Sequence, residues 1–270
     1  MQRILMSGAA GRVGRVLRRG LASPDRLLRL TDIAPLADAG EHEEISVGDA
    51  RNVEFMADAM KDVDVFISLA ANPDEGPGDT VFPINYQLTY AGFEAARLAG
   101  VKRIIFASSV QAVGFHPLAR TIGDGARIRP SGNYGVSKAF GEALASLYAD
   151  KHGIEVACIR IASFEDRPKD VRMLSTWISH QDCTHLFDRC LRAPARHFYR
   201  VFGVSNNTRA RVDNSHARWL GYQPQSNAED FAHEIETSAE ALGILAAGTQ
   251  GGGACEVAFS GNAVATLSAD

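Results

Sequence analysis

Short apolar runs alternate with segments of helical periodicity through residues 1–161, and this alternation constrains the fold more than any other feature of the sequence. Residues 3–7, 27–32, 44–47, 63–69, 103–108 and 155–161 have the pattern of strands, whereas residues 12–22, 53–60, 86–99 and 134–151 have the pattern of helices. Parallel strands need a long crossover connection, which a helix usually supplies. The sequence therefore predicts an α/β protein with a Rossmann-type, doubly wound parallel sheet.

The pattern loosens after residue 161. There we predict a helix at 176–192, a strand at 199–204 and a helix at 228–242. Residues 246–270 are rich in glycine and alanine and show little periodicity. This tail is therefore either partly disordered or wrapped over the body of the protein.

The composition argues against several classes of protein. A net charge of −4 offers no basic surplus for nucleic acid, and no apolar run approaches the ~20 residues that a membrane span requires. The apolar run at 4–6 leads directly into a glycine-rich turn, unlike the apolar core of a signal peptide. Cys158, Cys183, Cys190 and Cys255 lack the spacing of a metal site. We therefore expect reduced thiols, no metal and a cytoplasmic protein.

Three glycines lie between the first predicted strand and the first predicted helix. Gly8, Gly11 and Gly14 allow a tight turn there and leave peptide N–H groups open to a phosphate oxygen. The helix that follows directs the positive end of its dipole to the same point. An ordinary strand-to-helix turn can carry such glycines, but their place directly after the first strand favours a dinucleotide pyrophosphate.

Two acidic residues follow at positions that suit the adenosine half of a dinucleotide. Asp32 ends the second predicted strand, where a carboxylate can accept hydrogen bonds from the ribose hydroxyls. A carboxylate there repels a 2′-phosphate and favours NAD over NADP, although Arg12 could neutralise such a phosphate. We place Asp49 at the adenine edge. The alternatives are a turn cap for Asp32 and a helix N-cap for Asp49.

Tyr134 and Lys138 are four residues apart at the start of a predicted helix, so their side chains share one face. A phenol with a pKa of ~10 is a poor base, but a neighbouring ammonium and a positive nicotinamide favour the phenolate. The phenolate can then take the proton from a substrate hydroxyl. Ser109, at the end of a strand, would donate a hydrogen bond to the reacting oxygen. A chance pair on an exposed helix face is the alternative.

Together with their neighbours, these residues resemble the extended, epimerase/dehydratase-like short-chain dehydrogenases. The resemblance is carried by Gly8-Ala9-Ala10-Gly11-Arg12-Val13-Gly14, Asp49, Leu69-Ala70-Ala71, Asn85, Ser108-Ser109 and Tyr134-Gly135-Val136-Ser137-Lys138. Within that superfamily the chain is similar to the uronate dehydrogenases, through residues 172–177 and 213–216 and through its compact length. Uronate dehydrogenases oxidise the anomeric carbon of galacturonate or glucuronate with NAD and form an aldarolactone.

The resemblance implies NAD as the cofactor and a sugar acid as the substrate. It implies Tyr134 as the base, Lys138 as its partner and Ser109 as the third catalytic residue. The substrate ligands that it implies are Ser109, Val110, Gln111, Ser163 and Arg172, with Arg172 binding the sugar carboxylate; an inter-element ion pair is the alternative for Arg172. The cofactor contacts that it implies are Gly8, Gly11, Arg12, Val13, Gly14, Asp32, Ile33, Asp49, Ala50, Leu69, Ala70, Ala71, Asn85, Tyr134, Lys138 and Ile161.

On this basis we predict an NAD-binding Rossmann domain at 1–162 and a small C-terminal substrate-binding region at 163–242, packed on the same domain. A Gly/Ala-rich tail follows at 243–270. The resemblance also implies a homo-oligomer, in which the predicted helices 86–99 and 134–151 form a four-helix bundle with a second copy. No nucleic-acid or membrane partner is expected.

Two departures from the uronate dehydrogenase pattern concern the sugar. That family follows the second serine with Asn-His, where this chain has Val110 and Gln111, and Pro73 or a neighbour replaces a further serine. The alternatives are a nucleotide-sugar epimerase or dehydratase that recycles NAD, a dehydrogenase of another small alcohol or sugar, and a non-catalytic NAD-binding regulator. Nucleotide-sugar enzymes typically need a larger C-terminal region, and an intact Tyr-Lys pair argues against a regulator.

Overall fold

The computed structural model describes residues 1–238 and 241–269. Its strands are β1 (Gln2–Ser7), β2 (Arg26–Asp32), β3 (Glu43–Val47), β4 (Val65–Ser68), β5 (Arg103–Ser109), β6 (Glu155–Ile161), β7 (Ser163–Phe164), β8 (Trp177–Ile178) and β9 (Phe198–Gly203). Its α-helices are α1 (Arg12–Gly20), α2 (Val53–Ala59), α3 (Gly78–Ala99), α4 (Asn133–His152), α5 (Met173–Thr176), α6 (His180–Arg192), α7 (Ala232–Ser238), α8 (Ile244–Gly248) and α9 (Ala263–Ser268). Short 3-10 helices lie at Val110–Val113, Ser215–Leu220, Ala228–Phe231 and Gly252–Cys255.

Seven strands form one parallel sheet in the order β3-β2-β1-β4-β5-β6-β9. The chain winds outward from β1 in one direction to β3 and then in the other direction from β4, so the predicted doubly wound, Rossmann-type α/β fold is confirmed. The last strand, β9, comes after residue 162, so the sheet extends into the predicted region 163–242. Strands β7 and β8 pair separately beside the sheet.

Helices cover both faces of the sheet. Successive residues of each buried strand point to opposite sides, so every strand contributes apolar side chains to a core on each face. Ile4 of β1 belongs to the core that Leu17 of α1 and Leu186 of α6 complete. The next residue, Leu5, belongs to the opposite core, which Phe93 of α3 helps to fill. All five side chains are inaccessible to solvent. This two-sided burial explains the continuous apolar runs of the sequence.

Two predicted helices begin at other residues than expected. Helix α3 starts at Gly78 rather than at residue 86 and contains Pro83. As the sixth residue of the helix, Pro83 removes one intrahelical hydrogen bond, the one that its missing N–H would donate to the carbonyl four residues earlier. Helix α6 starts at His180 rather than at residue 176, because Trp177–Ile178 pairs with Ser163–Phe164 as a strand. This pairing joins residues far apart in sequence, and helical periodicity does not reveal it.

The predicted helix 228–242 is also divided. Residues Ala228–Phe231 form a 3-10 turn and α7 ends at Ser238. Residues 239–240 lie outside the described part of the chain, and residues 241–243 are not helical.

The tail wraps over the body, which resolves the alternative left open by the sequence for residues up to 269. Its first helix, α8, ends beside the segment that follows β5, where the Leu118 amide donates to the Gly248 carbonyl at 2.8 Å. The Gln250 amide donates to the His116 carbonyl at 3.0 Å. The side chain of Arg129 donates to the Thr266 carbonyl at 3.2 Å.

The four cysteines are buried as free thiols. In the described part of the chain, no helix combines the length and the hydropathy that crossing a bilayer requires. Over the same residues, no group of three or more His, Cys, Asp or Glu side chains is arranged to hold a metal ion.

Candidate active site

A continuous cleft runs along the carboxyl ends of β1, β4, β5 and β6. Its outer part measures about 490 Å³ and its inner part about 390 Å³. Gly8, Gly11, Leu69 and Ala71 line both parts, so the glycine loop lies at their junction. Because β1 and β4 are neighbours here, the cleft lies at the topological switch point, where doubly wound sheets bind ligands. A larger groove of about 930 Å³ beside α1 contains none of the predicted catalytic residues.

The glycine loop fits a dinucleotide pyrophosphate. Gly8 has a φ of +73°, and a Cβ there would lie 2.7 Å from the Ala70 amide nitrogen. A Cβ on Gly14 would lie 2.3 Å from the Gly8 carbonyl oxygen, so neither position accepts a side chain. Helix α1 begins after Gly11 with no side-chain cap and no acidic residue in its first turn. Its first N–H groups are therefore left for an anionic ligand.

Asp32 lines the outer part of the cleft and also caps two turns. Its carboxylate accepts hydrogen bonds from the amides of Ala10 and Ala34, each at 2.9 Å. Asp32 can therefore cap these turns and still lie at the predicted position beside the adenosine ribose. Asp49 lines the same part, but its N-cap alternative is wrong, because α2 is capped by Asn52.

Arg12 does not lie beside the outer part of the cleft. Its guanidinium donates to the Phe164 carbonyl at 2.9 Å and pairs with Glu165 at 2.7 Å. Both partners line the inner part, whereas Asp32 lines the outer part. Arg12 is therefore directed away from the position where it would neutralise a 2′-phosphate.

The cleft brings together nearly all the residues that the sequence predicted. The outer part is lined by the predicted cofactor residues Asp32, Ile33, Asp49, Ala50 and Ala70. The inner part is lined by the predicted cofactor and catalytic residues Arg12, Val13, Gly14, Ser109, Tyr134, Lys138 and Ile161. It also contains the predicted substrate residues Val110, Gln111, Ser163 and Arg172, and Pro73.

Asn85 is the exception. It is 3% exposed and lies behind the wall of the cleft. Its carboxamide accepts from the Asn72 amide at 2.7 Å and donates to the Asn72 carbonyl and to the Ser137 hydroxyl, each at 3.0 Å. Asn85 therefore fixes the loop after β4 to α4, and direct contact with a cofactor is not its role in this geometry.

Tyr134, Lys138 and Ser109 meet in the inner part of the cleft. The Lys138 ammonium donates to the Ala107 carbonyl at 2.8 Å and lies 5.5 Å from the centre of the Tyr134 ring. Burial raises the pKa of Tyr134 to about 12, while a hydrogen bond with Ser109 acts to lower it. Burial also lowers the pKa of Lys138 to about 8. In the protein alone, loss of water around the phenol therefore outweighs the hydrogen bond with Ser109. The expected lowering of the tyrosine pKa includes the charge of a bound nicotinamide and stays a prediction.

A carboxylate from another loop caps the catalytic helix. Glu75 accepts hydrogen bonds from the amides of Asn133 at 2.6 Å and Tyr134 at 3.3 Å. The first turn of α4 has no acidic residue of its own, so this contact supplies the negative charge that a helix N-terminus favours. Glu75 is not predictable as a cap from the sequence, because nothing in its local pattern connects it to a helix that begins near residue 133.

A buried ion pair lies directly behind the catalytic residues. Glu142 accepts from Arg160 at 2.8 Å through both carboxylate oxygens and from the Ser108 hydroxyl at 2.6 Å. All three residues are at most 3% exposed. Ser108 precedes Ser109, and Glu142 is one turn beyond Lys138 on α4. The one signal for Glu142 in the sequence is its helical spacing from Lys138, and that spacing does not reveal the pairing with Arg160.

Arg172 is held by neutral partners. Its Nη1 donates to the Thr176 hydroxyl at 3.0 Å and to the Gln250 carbonyl at 3.1 Å, and its Nη2 donates to the Ser163 hydroxyl at 3.0 Å. Among the described residues no carboxylate lies within ion-pair distance, so the ion-pair alternative is wrong. Burial lowers the pKa of Arg172. A largely buried guanidinium without a counter-ion is suited to an anionic ligand.

Comparison with known proteins agrees with this geometry. The model of the NAD dependent epimerase/dehydratase family matches residues 4–182. The chain therefore belongs to this family and is an NAD-dependent oxidoreductase.

Within the family, the chain is a relative of the uronate dehydrogenases. Uronate dehydrogenase from Pseudomonas syringae pv. tomato is 39% identical over 235 residues, covering 87% of this chain and 86% of that protein. NAD-dependent glucose-6-phosphate dehydrogenase from Haloferax volcanii is 36% identical over 262 residues, covering 89% and 99%. The solved structure of an Agrobacterium tumefaciens uronate dehydrogenase mutant complexed with NAD has a TM-score of 0.90 and 38% identity, covering 95% of this chain and 97% of that one.

Proposed function

We propose that this protein oxidises the anomeric carbon of a uronate with NAD and releases an aldarolactone. The observation that carries the proposal is the convergence of two features in one cleft. The Tyr134, Lys138 and Ser109 side chains form the proposed proton-transfer site, and the Arg172 guanidinium lies in the same part of the cleft with no carboxylate of the described residues within ion-pair distance. The likeness to uronate dehydrogenases over most of the chain supports this assignment.

NAD bound along the glycine loop would supply the hydride acceptor. Tyr134 takes the proton of the anomeric hydroxyl, and Ser109 donates a hydrogen bond to the same oxygen. Lys138, held by the Ala107 carbonyl, places a positive charge beside the phenol while it is protonated. Glu75 accepts a hydrogen bond from the Tyr134 amide, and Glu142 accepts one from the hydroxyl of Ser108, the residue before Ser109. These contacts hold the backbone around the catalytic side chains, so the phenol does not have to be repositioned during the reaction.

A sugar phosphate is the second candidate substrate. Arg172 suits a phosphate as well as a carboxylate, because its planar fork matches both anions. The similarity to a glucose-6-phosphate dehydrogenase covers 99% of that relative. Val110 and Gln111, in place of the Asn-His of uronate dehydrogenases, alter the polar groups available to the sugar hydroxyls.

The test is NADH formation with galacturonate, glucuronate, glucose 6-phosphate, arabinose and glucose, each with NAD and with NADP. We expect net NADH with one or both uronates and little activity with NADP, because Asp32 faces the adenosine part of the cleft. Accumulation with glucose 6-phosphate alone would replace the first candidate by the second. An epimerase would recycle its cofactor and give no net NADH.

Tyr134→Phe should reduce turnover by roughly 1,000-fold or more, because it removes the base while leaving the ring in place. NAD binding, followed by fluorescence titration, should stay within about threefold of the wild type, since the phenol oxygen is a small part of the cofactor contact. Near-normal turnover in this variant would exclude the proposed base.

We also propose that the protein acts in the cytoplasm as a homo-oligomer. The buried free thiols support a reducing compartment. Half-exposed apolar side chains on α3 and α4 support self-association through these helices.

A further inference from the structure

The tail contributes a wall to the inner part of the cleft. Residues 249–252, here called the tail segment, contact two of the predicted substrate residues. The Gln250 carbonyl accepts from Arg172 Nη1 at 3.1 Å, and the Gly251 carbonyl accepts from Gln111 Nε2 at 3.1 Å. Thr249, Gln250 and Gly252 are buried. These contacts join residues that are 78 and 140 positions apart in the chain.

Several hydrogen bonds fix the tail segment itself. The amides of Gln250 and Gly251 donate to the carbonyls of His116 at 3.0 Å and Gly114 at 2.9 Å. The Gly252 amide donates to the Thr249 hydroxyl at 3.1 Å. The segment is therefore held on the loop after β5, and its carbonyl groups are directed at the cleft residues by these bonds.

Glycine is required at position 252. Its φ is +64°, and a Cβ there would lie 2.4 Å from Arg172 Nε, 2.8 Å from Cζ and 2.9 Å from Cδ. The three similar distances place that Cβ over the plane of the guanidinium, so the backbone of Gly252 packs against its face. Gly253, by contrast, has nothing within 4 Å of its Cβ position.

The partners of Arg172 leave one edge of its guanidinium available. Nη1 uses both its hydrogens, on Thr176 and on Gln250, and Nη2 uses one, on Ser163. The Nε–H and the second hydrogen of Nη2 remain, and together they form the edge that binds a carboxylate with two parallel hydrogen bonds. Two of these three contacts, with Ser163 and Thr176, come from the predicted substrate-binding region at 163–242, and the third, with Gln250, comes from the tail.

We propose that the tail segment positions Arg172, and that it thereby sets the preference of the enzyme for acidic over neutral sugars. This inference rests on the proposed function, in which Arg172 binds the sugar carboxylate. Gly252 and Gln250 act through Arg172 and are positioning residues. In the proposed reaction the proton is transferred to Tyr134 and the hydride to NAD, so neither Gly252 nor Gln250 takes part in the chemical step.

The experiment compares glucuronate with glucuronamide, its uncharged counterpart, in Gly252→Ala and in the matched control Gly253→Ala. Gly252→Ala should raise the KM for glucuronate by roughly tenfold or more and the KM for glucuronamide by less than about twofold, because only the carboxylate needs the aligned edge. The kcat at saturation should stay within about threefold. Gly253→Ala should leave both substrates unchanged.

Thr249→Val serves as a second variant, because it removes the hydroxyl that binds the Gly252 amide without adding a Cβ near Arg172. It should lower the glucuronate-to-glucuronamide ratio of kcat/KM in the same direction. This ratio does not depend on the fraction of folded enzyme, so poor folding cannot imitate the result. Equal losses for both substrates, or no loss, would overturn the inference.

Arg172→Ala separates the two proposals. If it abolishes the preference for glucuronate while Gly252→Ala does not change it, only the role of the tail is wrong. If Arg172→Ala leaves the preference intact, Arg172 does not bind the carboxylate, and both that part of the proposed function and the tail inference fail.

Discussion

Tyr134 needs to lose its proton before it can accept one, so its pKa decides the pH dependence of the oxidation. Burial raises that pKa to about 12 in the protein alone, and burial lowers the pKa of Lys138 to about 8. Lys138 therefore carries its charge below about pH 8 and becomes neutral above it. The fraction of Tyr134 present as phenolate increases as pH rises. Below about pH 8, the charged ammonium of Lys138 also favours this phenolate.

From these directions we expect kcat/KM for the sugar to rise with pH between about pH 6 and pH 10 at saturating NAD. Lys138→Met should lower kcat/KM mainly below about pH 8, because only there does the wild type carry the ammonium charge that favours the phenolate. The measurement is the pH profile of kcat/KM for both enzymes. Profiles that coincide after scaling would show that Lys138 does not influence the proton on Tyr134.

Individual side chains were predictable where a motif fixes them to a known edge of the sheet. Gly8, Asp32 and Ser109 each follow or end a strand, so their meeting at one cleft follows from the parallel arrangement. Tyr134 lies in the first turn of α4 instead, and its place in the cleft depends on how that helix packs on the sheet. Spacing along a helix reports the neighbour of Tyr134, whereas burial, which raises its pKa in the protein alone, depends on the whole surrounding structure.

Helix α4 carries Tyr134, Lys138 and Glu142 on successive turns. The ion pair between Glu142 and Arg160 of β6 fixes the helix to the sheet. The pair is fully buried, so removing the Glu142 carboxylate leaves the Arg160 guanidinium without its counter-ion in a medium of low polarity. A second Arg–Glu pair, Arg103 of β5 with Glu155 of β6, lies at the opposite end of β6 from Arg160 and is partly exposed. The two pairs therefore form a natural comparison.

Glu142→Gln should lower the free energy of unfolding by about 3–5 kcal/mol. The cost for Glu155→Gln should be about 1 kcal/mol or less, because solvent screens the partly exposed pair. Urea unfolding followed by circular dichroism measures both. Glu142→Gln should also reduce kcat, because the Ser108 hydroxyl next to Ser109 then has a neutral amide oxygen in place of a charged acceptor. Equal losses of stability in the two variants would contradict this account of the buried pair.

Elements with strong periodicity and local caps were predictable, and elements that depend on distant partners were not. Strand β6 begins and ends at the predicted residues because its apolar run is bounded by turn residues. Strand β8 was mistaken for the first turn of α6, because its pairing with β7 is formed by residues that the sequence separates widely. The same limit applies to the tail, whose contacts with Gln111 and Arg172 involve carbonyl groups that any residue could supply.

The molecule as a whole presents an apolar surface on α3 and α4, the two helices that cover the centre of one face of the sheet. Tyr90 and Leu98 on α3 are 50% and 57% exposed, and Leu147 on α4 is 49% exposed. The helices contact each other directly, and the tilted rings of Tyr86 and Phe140 pack with 4.4 Å between their centres. Large side chains exposed together on adjacent helices are typical of an interface between subunits.

If this surface joins two copies of the chain, each interface leucine should stabilise the assembly by about 1.5–3 kcal/mol through burial. The double variant Leu98→Glu with Leu147→Glu should then sediment as a 29.0 kDa monomer, while the wild type sediments as a multiple of that mass. Val264→Glu is the matched control, because Val264 is 65% exposed on α9 and lies outside this surface. A wild type that sediments as a monomer would show that the chain has no such interface. An oligomer that persists in the double variant but dissociates in the Val264→Glu control would place the interface elsewhere.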